Sequence, residues 1–228
     1  MSFDAFENKI RHVFKERRLL ETAFTHRSYL NENRTPGREH NERLEFLGDA
    51  VLELVVTDFL YAKYPEKPEG DLTAYRAALV NTVSISDAAS QLEMNEHLLL
   101  SRGEARDTGR ARAIILANAF EAVIGAIYLD AGYDAAQKFI AEQLFHKTDE
   151  VVAKRLWQDA KSRFQELAQE KEGATPSYQL LNHSGPDHAR TFMVGAYIRD
   201  ERIASGEGRS KQEAEQDAAQ KALVAKGW

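Results

Sequence analysis

The sequence predicts a multi-domain chain: an all-α domain over residues 1–147, a linker over 148–157, and a small α-β-β-β-α sandwich over 158–228. Two observations carry this. Residues up to about 146 are rich in Ala, Leu and Glu, with apolar residues at three- and four-residue spacing, as amphipathic helices require. After Asp159 the texture becomes one helical run, three short strand-like runs and a final helical run. The 43% hydrophobic and 29% charged residues supply enough apolar material for real cores.

The helical part is punctuated at Thr35-Pro36-Gly37, from Tyr64-Pro65 to Glu69-Gly70, at Arg102-Gly103 and at Asp107-Thr108-Gly109. Lys147 to Gln158 is polar and reads as the linker, although a helix through it also fits. Lys161–Glu172 reads as helix. In Thr191–Ile198, Phe192, Val194, Ala196 and Ile198 alternate onto one face, as in a half-buried strand. Asp200-Glu201 and Gly206–Gly208 read as turns on either side of a short strand. Ser210–Lys226 reads as helix, and Ala214, Ala218, Ala219 and Ala222 give it a smooth side that can lie close on the sheet.

The absence of cysteine excludes disulfides, thiolate metal sites and cysteine nucleophiles, and suits a reducing cytoplasm. The N-terminus is charged and lacks the apolar region of a secretory signal. Apolar runs such as Ile114–Leu116 and Ala122–Leu129 are shorter than a membrane span, so no membrane association is expected. The net charge is −6; residues 157–228 hold 10 Lys and Arg against 11 Asp and Glu, so neither part is basic overall. Any nucleic-acid contact must come from a local patch and from polar groups.

The most informative segment is His40 to Glu53, HNERLEFLGDAVLE. At about 100° per residue, Glu42, Glu45, Asp49 and Glu53 share an arc of about 80° on a helix, with Leu44, Leu47, Val51, Leu54 and Val55 on the other side. Like charges at this spacing repel, and no Lys interrupts the stripe. Gly48 in mid-helix costs about 1 kcal/mol relative to Ala unless something packs closely there. A solvated surface face and an oxygen-ligand cation site both fit; Mg²⁺ takes a few carboxylates and keeps waters. In Ile114 to Asp130, Asn118, Glu121 and Gly125 share one face, and Glu121 is the lone acid in a strongly apolar stretch that runs up to the terminal Asp130. An unpaired carboxylate there needs water or a cation.

NERLEFLGDAVL resembles the signature of the ribonuclease III family. AFTHRSY (residues 23–29), Glu69-Gly-Asp-Leu-Thr, Arg76–Val80 and FEAVIGAIYLD (residues 120–130) resemble the family's neighbouring segments, so the similarity spans essentially the whole chain. It implies that Glu45, Asp49 and Glu121 are metal-binding carboxylates, with Glu42 and Glu69 as assisting acids. Position 118 corresponds to a fourth ligand, normally Asp; here Asn118 keeps a carbonyl oxygen but lacks the charge. The implied chemistry is Mg²⁺-dependent phosphodiester hydrolysis in double-stranded RNA, with Mn²⁺ as substitute. The resemblance implies no histidine base, covalent nucleophile or organic cofactor, and His26 and His40 are read as structural. A homodimer is implied, with 5′-phosphate products, short 3′ overhangs and roles in RNA processing such as ribosomal RNA maturation. A non-catalytic RNA-binding protein of the same fold is the alternative that Asn118 raises.

Ser177-Tyr-Gln-Leu-Leu, Gly185-Pro-Asp-His188 and Gly206 to Gln216 resemble the double-stranded-RNA-binding domain in sequence and spacing. Ser210 with Glu213 three residues on predicts a capping box. By this resemblance Ser162, Gln165, Glu166 and Gln169 face one minor groove and Pro186 and His188 the next. Arg209, Ser210, Lys211 and Gln212 then lie over the phosphates between. Gln212 departs from the family's usual lysine, and one fewer cation predicts a shallower salt dependence.

Overall fold

The computed structural model describes residues 3–33, 36–153, 159–186 and 190–228. The chain divides into two compact units, residues 1–157 and 158–228.

The first unit is helical: α1 (Asp4–Ile10), α2 (Arg17–Ala23), α3 (Arg27–Glu32), α4 (Glu42–Lys63), α5 (Glu69–Val80), α6 (Thr82–Gln91), α7 (Arg110–Ala131), α8 (Tyr133–Leu144) and α9 (Thr148–Ala153). Its centre is α7, which packs against α2, α4, α6 and α8. Residues 115–117, 119–120 and 122–127 of α7 are buried, as expected of a helix that is apolar nearly all round. Among the described residues α7 is also the one helix long and apolar enough to cross a membrane, contrary to the reading of its runs as too short. However, 61% of its apolar window is buried within the unit, as in a core helix.

Several boundaries follow the breakers in the sequence, and others do not. Pro68 caps α5, where its missing N–H costs nothing. The α5–α6 break falls at Asn81, whose side chain accepts from the Ser84 N–H at 2.9 Å. The α7–α8 break falls at Gly132, whose φ of +85° is available to glycine without strain. The helix α9 carries regular structure through the first six positions read as linker. Thr148 is buried, and Val151 and Val152 pack on the helical core.

The second unit runs α10 (Ala160–Glu172), β1 (Pro176–Ser184), β2 (Thr191–Ile198), β3 (Glu201–Gly208) and α11 (Lys211–Lys226). The sheet is antiparallel in the order β1-β2-β3. Val194, Ala196 and Ile198 are buried and Phe192 is partly so. Phe164, Ala168, Ala218, Ala219, Ala222 and Leu223 complete the core with Ala196 and Ile198. The stretch Gly206–Gly208, read as a turn, is the end of β3. A Cβ on Gly206 would sit 2.1 Å from the Ala218 nitrogen, and one on Gly208 2.5 Å from the Ala214 nitrogen. Those glycines admit the close approach of α11 rather than a reversal of the chain.

Candidate functional site

The acidic residues are brought together by a backbone contact between α4 and α7. A Cβ added to Gly48 would lie 1.8 Å from the Glu121 carbonyl oxygen, and one on Gly125 2.2 Å from the Leu44 carbonyl oxygen. Only glycine at both positions lets the two turns touch, closer than side-chain-separated helices at about 8–10 Å. This explains the mid-helix Gly48 and sets Glu45 and Asp49, which flank it, over Glu121. The start of α4 is fastened by the buried Asn41, whose backbone N–H donates to the Thr25 carbonyl at 2.9 Å and whose Nδ2 donates to the Ala23 carbonyl at 3.2 Å.

The carboxylates feel one another. Burial pushes Glu121 up to about 7, helped by the negative charges of Asp49, Glu45 and Glu53. Glu45 is also raised, first by burial and then by Glu42 and Asp49. Arginines hold the two ends of the stripe: Arg27 lies 3.0 Å from Glu42, and Arg76 lies 2.8 Å from Glu53. Among the described residues no lysine or arginine pairs with Glu45, Asp49 or Glu121. The middle of the stripe is thus a concentration of acidic groups with no cationic partner among the described residues. No three His, Asp or Glu side chains among the described residues form a ready-made ligand cage.

The other expected residues are placed as follows. Asn118 is half-buried, one turn before Glu121 on α7. Glu69 is exposed at the start of α5 and accepts from the Thr73 hydroxyl at 2.9 Å; it is not among the acids whose charge bears on Glu45 or Glu121. His26 caps α3, its Nδ1 accepting from the Ser28 N–H at 3.3 Å, and His40 Nδ1 lies 3.8 Å from Glu42. His26 thus acts as a helix cap, and His40 lies beside Glu42.

In the second unit Ser162, Gln165, Glu166 and Gln169 are exposed on one face of α10. Gln169 donates to the Thr175 hydroxyl at 3.2 Å, and Ser162 N–H donates to the N-cap Asp159 at 3.0 Å. Pro186 is exposed, while His188 lies outside the described residues. Arg209, Ser210, Lys211 and Gln212 are exposed around the start of α11. Ser210 Oγ accepts from the Glu213 N–H at 3.1 Å, as a capping box requires. The return bond reaches the Arg209 N–H at 3.0 Å, one residue earlier than expected.

Sequence reasoning missed Arg27 and Arg76, because each reaches α4 from a separate helix. It also missed an exposed apolar stripe on α4, formed by Phe46, Leu54 and Tyr61 at 82, 57 and 74% exposure. Their helical spacing places them within an arc of about 80° beside the acids, a signal that the sequence did contain.

The helical unit is thus lined with acids, and the sandwich carries an exposed polar helix face and a capped, cation-flanked helix start. Residues 16–148 match the model of the ribonuclease-III-like family, and residues 160–224 match the double-stranded RNA binding motif. Proteins called Ribonuclease 3 are similar over nearly the whole chain. That of Enterococcus faecalis is 47% identical over 92% of this chain and 91% of its own length. That of Protochlamydia amoebophila is 44% identical over 96% and 90%. The nuclease domain of the Campylobacter jejuni enzyme, in a structure describing flexibility in a region involved in dimer formation, aligns with TM-score 0.56. It is 39% identical and covers 62% of this chain and 98% of that one. The chain belongs to the ribonuclease III family.

Proposed function

We propose that this endoribonuclease hydrolyses phosphodiester bonds in double-stranded RNA with Mg²⁺, or Mn²⁺ in its place, at Glu45, Asp49, Glu121 and Asn118. The observation that carries this is the trio of carboxylates from α4 and α7 that bear on one another with no cationic partner among the described residues, one of them pushed up to about 7. These residues would hold a divalent ion, which would supply positive charge at the scissile phosphate and a more acidic water for its hydrolysis. Glu45, Asp49 and Glu121 supply oxygen ligands, and Asn118 a neutral carbonyl oxygen. Glu42, held by Arg27, and Glu69, held by Thr73, assist from outside that trio.

The second unit docks the duplex. Ser162, Gln165, Glu166 and Gln169 meet one minor groove and Pro186 and His188 the next, where 2′-hydroxyls distinguish RNA from DNA. Arg209, Ser210, Lys211 and Gln212 sit over phosphates at the N-terminus of α11, where free N–H groups and the helix dipole favour anions. The division between residues 157 and 158 then separates cutting from docking. Products carry 5′-phosphates and short 3′ overhangs, and precursors such as those of ribosomal RNA are the substrates, in the cytoplasm. The exposed stripe of Phe46, Leu54 and Tyr61 supports a homodimer, since one self-complementary patch closes a two-fold interface.

The reading as a binding protein without nuclease activity is not favoured, because Glu42, Glu45, Asp49, Glu69 and Glu121 are all present. The test is cleavage of an end-labelled perfect RNA duplex with Mg²⁺ or Mn²⁺, with end-mapping of the products. Staggered cuts leaving short 3′ overhangs are expected. Blunt ends, or equal cutting of duplex DNA, would count against the proposal.

A further inference from the structure

The α4 stripe holds four acids besides the contribution of α7, yet the expected ligands on α4 are only two. Glu53, the last of the stripe, lies close enough for its charge to bear on Glu121. Its partner Arg76 comes from α5, two turns after Glu69. The Arg76 Nε lies 2.8 Å from Glu53 Oε2, and Nη1 donates to the Thr57 hydroxyl at 2.9 Å. The Thr57 hydroxyl in turn donates to the Glu53 carbonyl at 2.6 Å. The planar guanidinium therefore grips α4 at two points one turn apart, which a lysine ammonium matches less well. Both partners are partly open to solvent, at 34 and 39% side-chain exposure. A pair so exposed adds little to stability; what it changes is where charge stands.

We propose that Arg76 is a positioning residue for the metal site. By pairing with Glu53 at 2.8 Å it offsets part of the charge that the fourth carboxylate of the stripe exerts on the site, so that a divalent cation is met chiefly by Glu45, Asp49 and Glu121. Arg27 does the same for Glu42 at the other end, at 3.0 Å. The inference rests on the metal-site reading above. It goes further in making the charge balance of the site depend on α5, which supplies none of the proposed ligands.

The consequence is directional. Removing Arg76 leaves Glu53 as an uncompensated anion beside the site and tightens divalent binding. Removing the Glu53 charge leaves Arg76 as an uncompensated cation and weakens it. One unit charge acting on a divalent ion at about 10 Å in a solvent-exposed setting shifts affinity about 3- to 10-fold.

Free Mn²⁺ is titrated by electron paramagnetic resonance against the full-length protein without RNA, and far-UV circular dichroism checks each fold. Arg76→Gln is expected to bind Mn²⁺ more tightly than the parent and Glu53→Gln more weakly. The double variant should return to near the parent, and Arg76→Lys should stay near it, because the charge pair survives. If both single variants shift affinity the same way, Arg76 only docks α5 and the proposal fails. It fails equally if neither shifts while Glu121→Gln still abolishes Mn²⁺ binding. If the parent shows no Mn²⁺ binding that Glu121→Gln removes, the metal-site reading itself falls and the inference with it.

Discussion

Replacing Glu121 by Gln separates the cost of the acidic cluster from its use. Glu121 is pushed from 4.5 up to about 7 by burial first and by Asp49, Glu45 and Glu53 next. Holding it ionised therefore costs the metal-free fold up to about 3 kcal/mol, which solvent screening at a partly exposed group cuts to about 1–2 kcal/mol. The folded value lies above the unfolded one, so this cost is absent below the unfolded value of 4.5. It grows as pH rises and is complete above about 7. Glu121→Gln removes it. In chelator, the variant should be more stable than the parent by about 1–2 kcal/mol at about pH 8, and the advantage should shrink towards about pH 5. Saturating Mg²⁺ at the higher pH should stabilise the parent and leave the variant unmoved, since a ligand stabilises only the state that binds it. Urea unfolding followed by far-UV circular dichroism, which the helical unit dominates, measures this. A variant no more stable than the parent at about pH 8 without metal, or an advantage independent of pH, would refute the account of a destabilising acid cluster.

Asn118→Asp should lower the Mg²⁺ concentration for half-maximal cleavage, because added ligand charge strengthens oxygen-ligand sites; the gain should shrink in Mn²⁺, which binds N/O ligands more tightly. An unchanged Mg²⁺ requirement would place position 118 outside the metal's surroundings. Gly48→Ala puts a methyl 1.8 Å from the Glu121 carbonyl oxygen, so thermal unfolding should show a loss of about 1–3 kcal/mol or more. Mn²⁺ affinity should fall with it as α4 and α7 part. Ser210→Ala, which removes the 3.1 Å cap bond to Glu213, should cost about 1 kcal/mol in the stability of the second unit. Lys211→Gln should leave stability unchanged and lower the log–log salt slope of duplex RNA binding by about one.

Much of the fold could be read from local pattern. Apolar spacing marked the helices, and the alternation in Thr191–Ile198 gave β2 with the same bounds. What failed was whatever depended on a distant partner. Gly206–Gly208 has turn composition, but α11 lies so close that only glycine fits there, and the stretch remains strand. The start of the linker became α9 because Thr148, Val151 and Val152 had a core to bury against. At the site, the helical period placed Glu45 and Asp49 on one face, and Gly48 signalled a close approach without naming Glu121's turn as its target. The arginines that bracket the stripe were invisible, since Arg27 and Arg76 are separated in sequence from the acids they hold. The exposed stripe of Phe46, Leu54 and Tyr61 was hidden for another reason: by composition it looks like core.

The central claim is that the acids on α4 and α7 act on the phosphodiester through a metal while the second unit does the docking. Comparing cleavage and binding of one RNA duplex by the parent and by Asp49→Asn tests it most directly. The account predicts cleavage abolished in Mg²⁺ and binding affinity nearly unchanged. Loss of duplex binding in step with cleavage, in a protein that remains folded, would contradict it.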